Sequence, residues 1–101
     1  MQANVFSPQG NTVNIAVGAT TGNVAITSLS MSQGALRLVN SGTQVVFVKL
    51  GTSNSVTAAL TDFPILANTT AIIDLPPGTT YIAAIAGATG STLYATSGIS
   101  Q

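Results

Sequence analysis

Few side chains in this 101-residue protein can do acid–base, nucleophilic or redox chemistry. Lys plus Arg number 2, Asp plus Glu number 2, and His and Cys are both absent. The charged set is Arg37, Lys49, Asp62 and Asp74, with no Glu at all. Without His, Cys or Glu there is no ordinary general base, no thiol nucleophile and none of the common zinc ligands. A glycosidase-like carboxylate pair would need both aspartates held at a fixed separation. Asp62, in Leu60-Thr61-Asp62-Phe63-Pro64, reads as a turn cap, and Asp74, in Ile73-Asp74-Leu75-Pro76, as a solvated strand position. A serine nucleophile would depend on Lys49 as a desolvated base, yet Lys49 alternates with Phe47 as a solvated strand charge does. No acidic loop is built for Ca²⁺, and no glycine loop ends in the Gly-Lys-Ser/Thr of a phosphate site. The expectation is a protein that is not an enzyme, with no catalytic residue, no metal and no cofactor.

Binding chemistry is equally restricted. Two basic residues cannot supply the several phosphate contacts that drive nucleic-acid binding, so no nucleic acid is expected as a partner. Tyr81 and Tyr94 could stack on sugars, although aromatics in strands more commonly pack. Only 4% of residues are charged and the formal net charge is zero. Surface polarity must therefore come from Ser, Thr, Asn and Gln. Zero net charge promotes association, which points to life within an assembly. With no Cys, disulfides are impossible. The first ten residues lack the basic-then-apolar order of a signal peptide, and the longest apolar run, 82–86, is far too short to span a bilayer, so no membrane partner is expected.

The elements that would carry these residues are strands. Gly and β-branched residues recur too often for a helix, and short β-rich runs alternate with turn signals. Strands are expected near 12–17, 23–28, 35–40, 44–50, 55–60, 70–75, 80–86 and 92–96. Asn40-Ser41-Gly42-Thr43 reads as a hairpin turn, and Pro76-Pro77-Gly78 forces the chain out of a sheet. Pairing across that hairpin would put Leu36, Leu38, Val46, Val48 and Leu50 on one face and Arg37, Phe47 and Lys49 on the other, with Arg37 beside Phe47 as a cation–π pair. Several strands also carry apolar residues on the second face, including Val45, Phe47, Ile72 and Ile85. Either a loop of the same chain or a neighbouring subunit would cover them. The fold expected is all-β, a single β-sandwich of about eight short strands, jelly-roll-like or another Greek key, with an immunoglobulin-like order as the alternative. Residues 1–10 would form an N-terminal arm and 11–101 the sandwich.

The segment Leu36-Arg37-Leu38-Val39-Asn40-Ser41-Gly42, followed by Phe47-Val48-Lys49-Leu50-Gly51-Thr52-Ser53, resembles a group of short structural proteins of tailed bacteriophages. The Pro76-Pro77-Gly78 turn, the run from Thr79 to Ala86 and the closing Thr92-Leu93-Tyr94-Ala95-Thr96-Ser97-Gly98 extend that resemblance over residues 35–98. The resemblance implies a virion component, with capsid decoration or cement as the leading role and a position on the capsid exterior. It implies the major capsid protein as partner. It also implies a homo-oligomer, a trimer ahead of a dimer. A tail, neck or head-fibre component, or a glycan-binding module using Tyr81 or Tyr94, is the alternative. The residues expected at the interface are Val5, Phe6 and Pro8 of the arm, together with Phe47 and Phe63.

Overall fold

A computed structural model describes residues 6–27 and 34–100. Eight strands follow one another: β1 (Phe6–Val17), β2 (Gly22–Ala25), β3 (Gly34–Gly42), β4 (Val46–Gly51), β5 (Phe63–Ile65), β6 (Thr70–Asp74), β7 (Tyr81–Ala86) and β8 (Ser91–Ser100). They form two four-stranded sheets, ordered β1-β8-β3-β6 and β2-β7-β4-β5, named here the β8 sheet and the β7 sheet. Every ladder is antiparallel. The pairing is nested: β4 with β5, β3 with β6, β2 with β7 and β1 with β8. It is the pattern of one long hairpin rolled into two sheets, so the strand order is that of a jelly roll.

Period-2 alternation sets the core. In β3, Leu36, Leu38 and Asn40 point inward while Arg37 is exposed, and in β4 Val46 and Val48 point inward while Lys49 is exposed. Leu36, Leu38, Val46, Ile65, Leu75, Ile82 and Leu93 are the largest fully buried apolar side chains, drawn from both sheets. The expected partition of even and odd positions is therefore observed, but its cause differs. β3 and β4 are not hairpin partners; the chain crosses from the β8 sheet to the β7 sheet between them. Gly42 permits the crossing. Its φ is +150°, and a Cβ there would meet the Gly90 carbonyl oxygen and Ser91. Because the two strands lie in opposite sheets, Arg37 and Phe47 face away from each other on opposite sides of the sandwich, and the expected cation–π pair does not form.

Three boundaries also differ from expectation. Residues 6–10, read as part of an arm, are the start of β1, where Phe6, Ser7 and Pro8 pair with Ser100, Ile99 and Gly98 before a register shift ahead of Thr12. Residues 55–60 are not a strand. Their apolar alternation is real, with Ala58 buried, but their hydrogen bonds are to side chains and to local turns rather than to a ladder. β5 was hidden by Pro64, which an edge strand tolerates because a missing N–H on the solvent side costs no ladder bond.

Candidate functional site

The chemistry-bearing residues are dispersed. Asp62 caps a turn, its Oδ2 accepting from the Ala59 amide at 2.7 Å. Asp74 is exposed at the end of β6, and Lys49 is exposed on the outer face of the β7 sheet. Among the described residues no group of three or more His, Cys, Asp or Glu is placed to hold a metal. Tyr94 lies on the outer face of the β8 sheet and Tyr81 on the β7 sheet, so the two cannot form one sugar-stacking platform.

What the fold assembles is surface. Direct pairing aligns Thr12, Thr96, Arg37 and Ile72 in one outward row across all four strands of the β8 sheet. The neighbouring row runs Pro8, Gly98, Ala35, Asp74. Its two central members are small and buried, so the face is concave there. The result is an open groove of about 390 Å³ lined by Phe6, Pro8, Thr12, Arg37 and Thr96. The Thr12 and Thr96 hydroxyls hydrogen-bond each other at 2.7 Å, which fixes one wall. Phe6 and Pro8, two of the expected interface residues, thus meet on this face, and Val5 lies outside the described residues.

The outer face of the β7 sheet is arranged differently. The β4–β5 loop, residues 52–62, turns back over it. Asn23 Nδ2 donates to the Asn54 and Val56 carbonyls at 2.9 and 3.2 Å, and the Ala58 amide donates to Thr21 Oγ1 at 2.8 Å. Since β7 lies between β4 and β2, a loop that leaves β4 and bonds to the β2 region must cross β7. Ala83, outward-facing on β7, is fully buried there. Phe47 sits half-buried in the next outward row between Ile85 and Pro64.

Four of the five large apolar side chains exposed among the described residues, Leu60, Phe63, Leu66 and Ile72, lie on or beside edge strands β5 and β6. Phe63, Leu66 and Ile72 are 49%, 61% and 45% exposed, and Leu60 precedes β5 by three residues. Phe63 was expected at an interface and Ile72 on a second face needing cover; Leu60 and Leu66 were not singled out. The signal for them existed in the Leu60, Phe63, Leu66 spacing, but it reads as core until β5 is known to be an edge.

Above this side, one polar cluster ties the sheets together. Asn40, fully buried, donates from Nδ2 toward the carbonyls of Gln44 at 2.8 Å, Ile65 at 3.0 Å and Leu66 at 3.2 Å. Ser91 Oγ accepts from the Gln44 amide and donates to its carbonyl, both at 3.0 Å. Asn68, at φ 55°, accepts from the Gly42 amide through Oδ1 at 3.3 Å. These bonds satisfy backbone groups that the crossing between sheets leaves without ladder partners.

No protein-family model and no curated protein matches the chain. Among solved structures, one described as "Bacillus endospore appendages form a novel family of disulfide-linked pili" superposes over 95% of this chain and 88% of its own, at 12% identity and a TM-score of 0.54. The Cnp3 cupin domain of Schizosaccharomyces pombe, at 16% identity, covers 97% of this chain and 62% of its own with a TM-score of 0.41. The infectious bursal disease virus Gx strain structure, at 9% identity, covers 97% of this chain and 30% of its own with a TM-score of 0.43. At these identities the appendage match is a likeness of fold, and the other two superpose too loosely to compare surfaces.

Proposed function

We propose that this protein is a non-enzymatic structural subunit of a tailed-phage particle, decorating the outside of the head and binding between major capsid subunits. The observation that supports this reading best is the set of exposed apolar side chains on or beside edges β5 and β6, Phe63, Leu66 and Ile72, on a body with only four charged side chains. Such a surface favours contact with protein over contact with small polar substrates. The resemblance of residues 35–98 to small phage structural proteins supplies the particle. The jelly roll shared with the endospore appendage structure is compatible with a building-block role. Those pili are described as disulfide-linked; with no Cys, this chain would have to join its neighbours without covalent bonds.

A ligand that binds only the assembled shell stabilises it by mass action, and contact with several shell subunits makes later contacts intramolecular. With so few charges the binding free energy is mainly apolar, so affinity for heads should change less than about threefold between low and high salt. The test is cosedimentation of purified protein with heads that lack it, together with immunogold labelling of intact virions. Saturable, salt-insensitive binding and label over the head support the proposal. Label confined to the tail or neck overturns the capsid position, and label absent from virions overturns the structural role. In the head-binding assay Phe6→Ala, at the rim of the β8-sheet groove, distinguishes whether that groove or the β5–β6 side meets the shell.

A further inference from the structure

We propose that two copies of this chain join edge to edge through β6, antiparallel and centred on Ile72, so that their two β8 sheets become one continuous sheet. The contact is a property of the sheet edge and does not depend on the particle in which the subunit serves.

The argument begins with which backbone groups β6 has left to offer. The Asn40 amide donates to the Thr69 carbonyl at 2.9 Å, and the Leu75 amide donates to the Gly34 carbonyl at 3.0 Å. Both pairs continue the β3–β6 register, in which Leu36 lies opposite Ile73 and Leu38 opposite Ala71. Hydrogen-bonded and non-hydrogen-bonded pairs alternate along an antiparallel ladder. Ala71 and Ile73 therefore spend their N–H and C=O groups on β3. Those of Thr70, Ile72 and Asp74 point the other way. No strand among the described residues lies on that side, because β6 ends its sheet.

The other three edges are blunted. β5 is three residues long with Pro64 at its centre. β1 carries Pro8 and a register shift. β2 is four residues long, packs beside β1 and is tied by Asn23 to the β4–β5 loop. β6 has no proline, no lysine or arginine and no bulge, the devices by which proteins ordinarily guard an edge.

The strand is also complementary to itself. A twofold axis at Ile72 sets Ile72 opposite Ile72 of the second copy and Thr70 opposite Asp74 in both directions. All three outward-pointing residues then fall in hydrogen-bonded pairs, giving about six backbone bonds. On the solvent face the exposed isoleucines cover each other, and each Thr70 hydroxyl can donate to an Asp74 carboxylate. On the core face Ala71 falls opposite Ile73, both already packed against the core, so the apolar layer continues across the junction. Moving the register by one residue would oppose an outward-pointing backbone to an inward-pointing one. Moving it by two would set Ile72 against Asp74 or Thr70 in place of its own copy, and moving it by four in one direction would set Asp74 against Asp74, a like-charge pair. A strand edge pairing antiparallel to itself closes as a dimer, so this contact favours twofold symmetry over the trimer expected from the resemblance.

Sedimentation equilibrium of the full chain tests the proposal. A monomer–dimer equilibrium is expected. Ile72→Lys should weaken it at least about tenfold, since two ammonium groups meet at the axis. Thr70→Lys, opposite Asp74, should tighten it about fivefold, and Thr70→Asp should weaken it about as much. Ile72→Cys gives a chain with a single cysteine. Its Cα would lie about 5.5 Å from its counterpart, within disulfide range, so oxidation should yield a covalent dimer. Thr57→Cys, on the exposed β4–β5 loop, should not. Far-UV circular dichroism of each variant checks that the monomer is folded. A wild-type monomer at concentrations up to about 1 mM overturns the proposal. So does an unchanged dimer in Ile72→Lys, or Thr70→Lys and Thr70→Asp acting in the same direction.

Discussion

The two sheets have the same number of strands and share one core, yet their outer faces are finished in different ways. On the β7 sheet the centre of the face is Ala83, and residues 52–62 of the same chain lie over it, anchored by Asn23 and Thr21. On the β8 sheet the face is built of Thr12, Thr96, Arg37 and Tyr94, side chains that can meet water, around a groove floored by small residues. The difference shows how one chain decides where it stays open. A small apolar residue at the centre of a face makes a site that its own loop can close. Long or polar side chains hold off a loop and leave the surface for other molecules.

The largest effect is expected where the two sheets are tied together, because losing that tie removes the frame in which the faces differ. Asn40→Asp replaces the Nδ2 donor with a buried carboxylate facing three carbonyl groups. It should cost about 4 kcal/mol or more, read as a lowered midpoint in urea. An unchanged midpoint would show that the cluster does not hold the crossing. A smaller effect separates the faces directly. Ala83→Leu forces a side chain beneath the loop and should cost about 1–3 kcal/mol. Tyr94→Leu, at an exposed site on the other sheet, should stay within about 0.5 kcal/mol. Equal costs at the two positions would mean that the loop does not cover β7. At the low end of the Ala83→Leu range is Asn23→Ala, which removes two bonds from the loop to β2 and should cost about 1 kcal/mol while speeding proteolysis within residues 52–62. Cleavage at the wild-type rate would assign the loop's position to the Ala58–Thr21 bond and apolar contact.

Much of this was legible in the residues. The alternation in Leu36-Arg37-Leu38 and Val46-Phe47-Val48 assigned inward and outward positions correctly, since side-chain period is a property of the strand whatever its partner. The partner itself was not legible. Asn40-Ser41-Gly42-Thr43 carries the composition of a hairpin turn, and the same composition serves a crossing between sheets. Gly42 is needed there for its positive φ and for its contact with Gly90, a residue distant in sequence. The segment at residues 55–60 has the alternation of a strand because it lies on a sheet face rather than within a sheet. Of the expected interface residues, Phe6 and Pro8 share a groove and Phe63 lines an exposed edge, whereas Phe47 is half-buried on the opposite outer face. Alternation set Ile72 on the face opposite Ile73 in the sequence; that no described strand or loop covers it there, leaving it 45% exposed, is what the structure adds.

Nested pairing has a consequence for the order in which the molecule can be made. Of the eight strands β8 is the last to be synthesised, and it occupies an interior place in its sheet, between β1 and β3. β7, the strand before it, holds the same place between β2 and β4. Neither sheet can close before β7 and β8 have emerged from the ribosome, because each lacks an interior strand until then. Up to that moment β1 to β6 can form only the β3–β6 and β4–β5 ladders, with the remaining edges open. Folding is thus deferred until β8 has been made and then proceeds through contacts distant in sequence, the slow regime for a small domain. Among crowded nascent copies, each unclosed sheet is a template for another, a risk that ends only when β7 and β8 take their interior places.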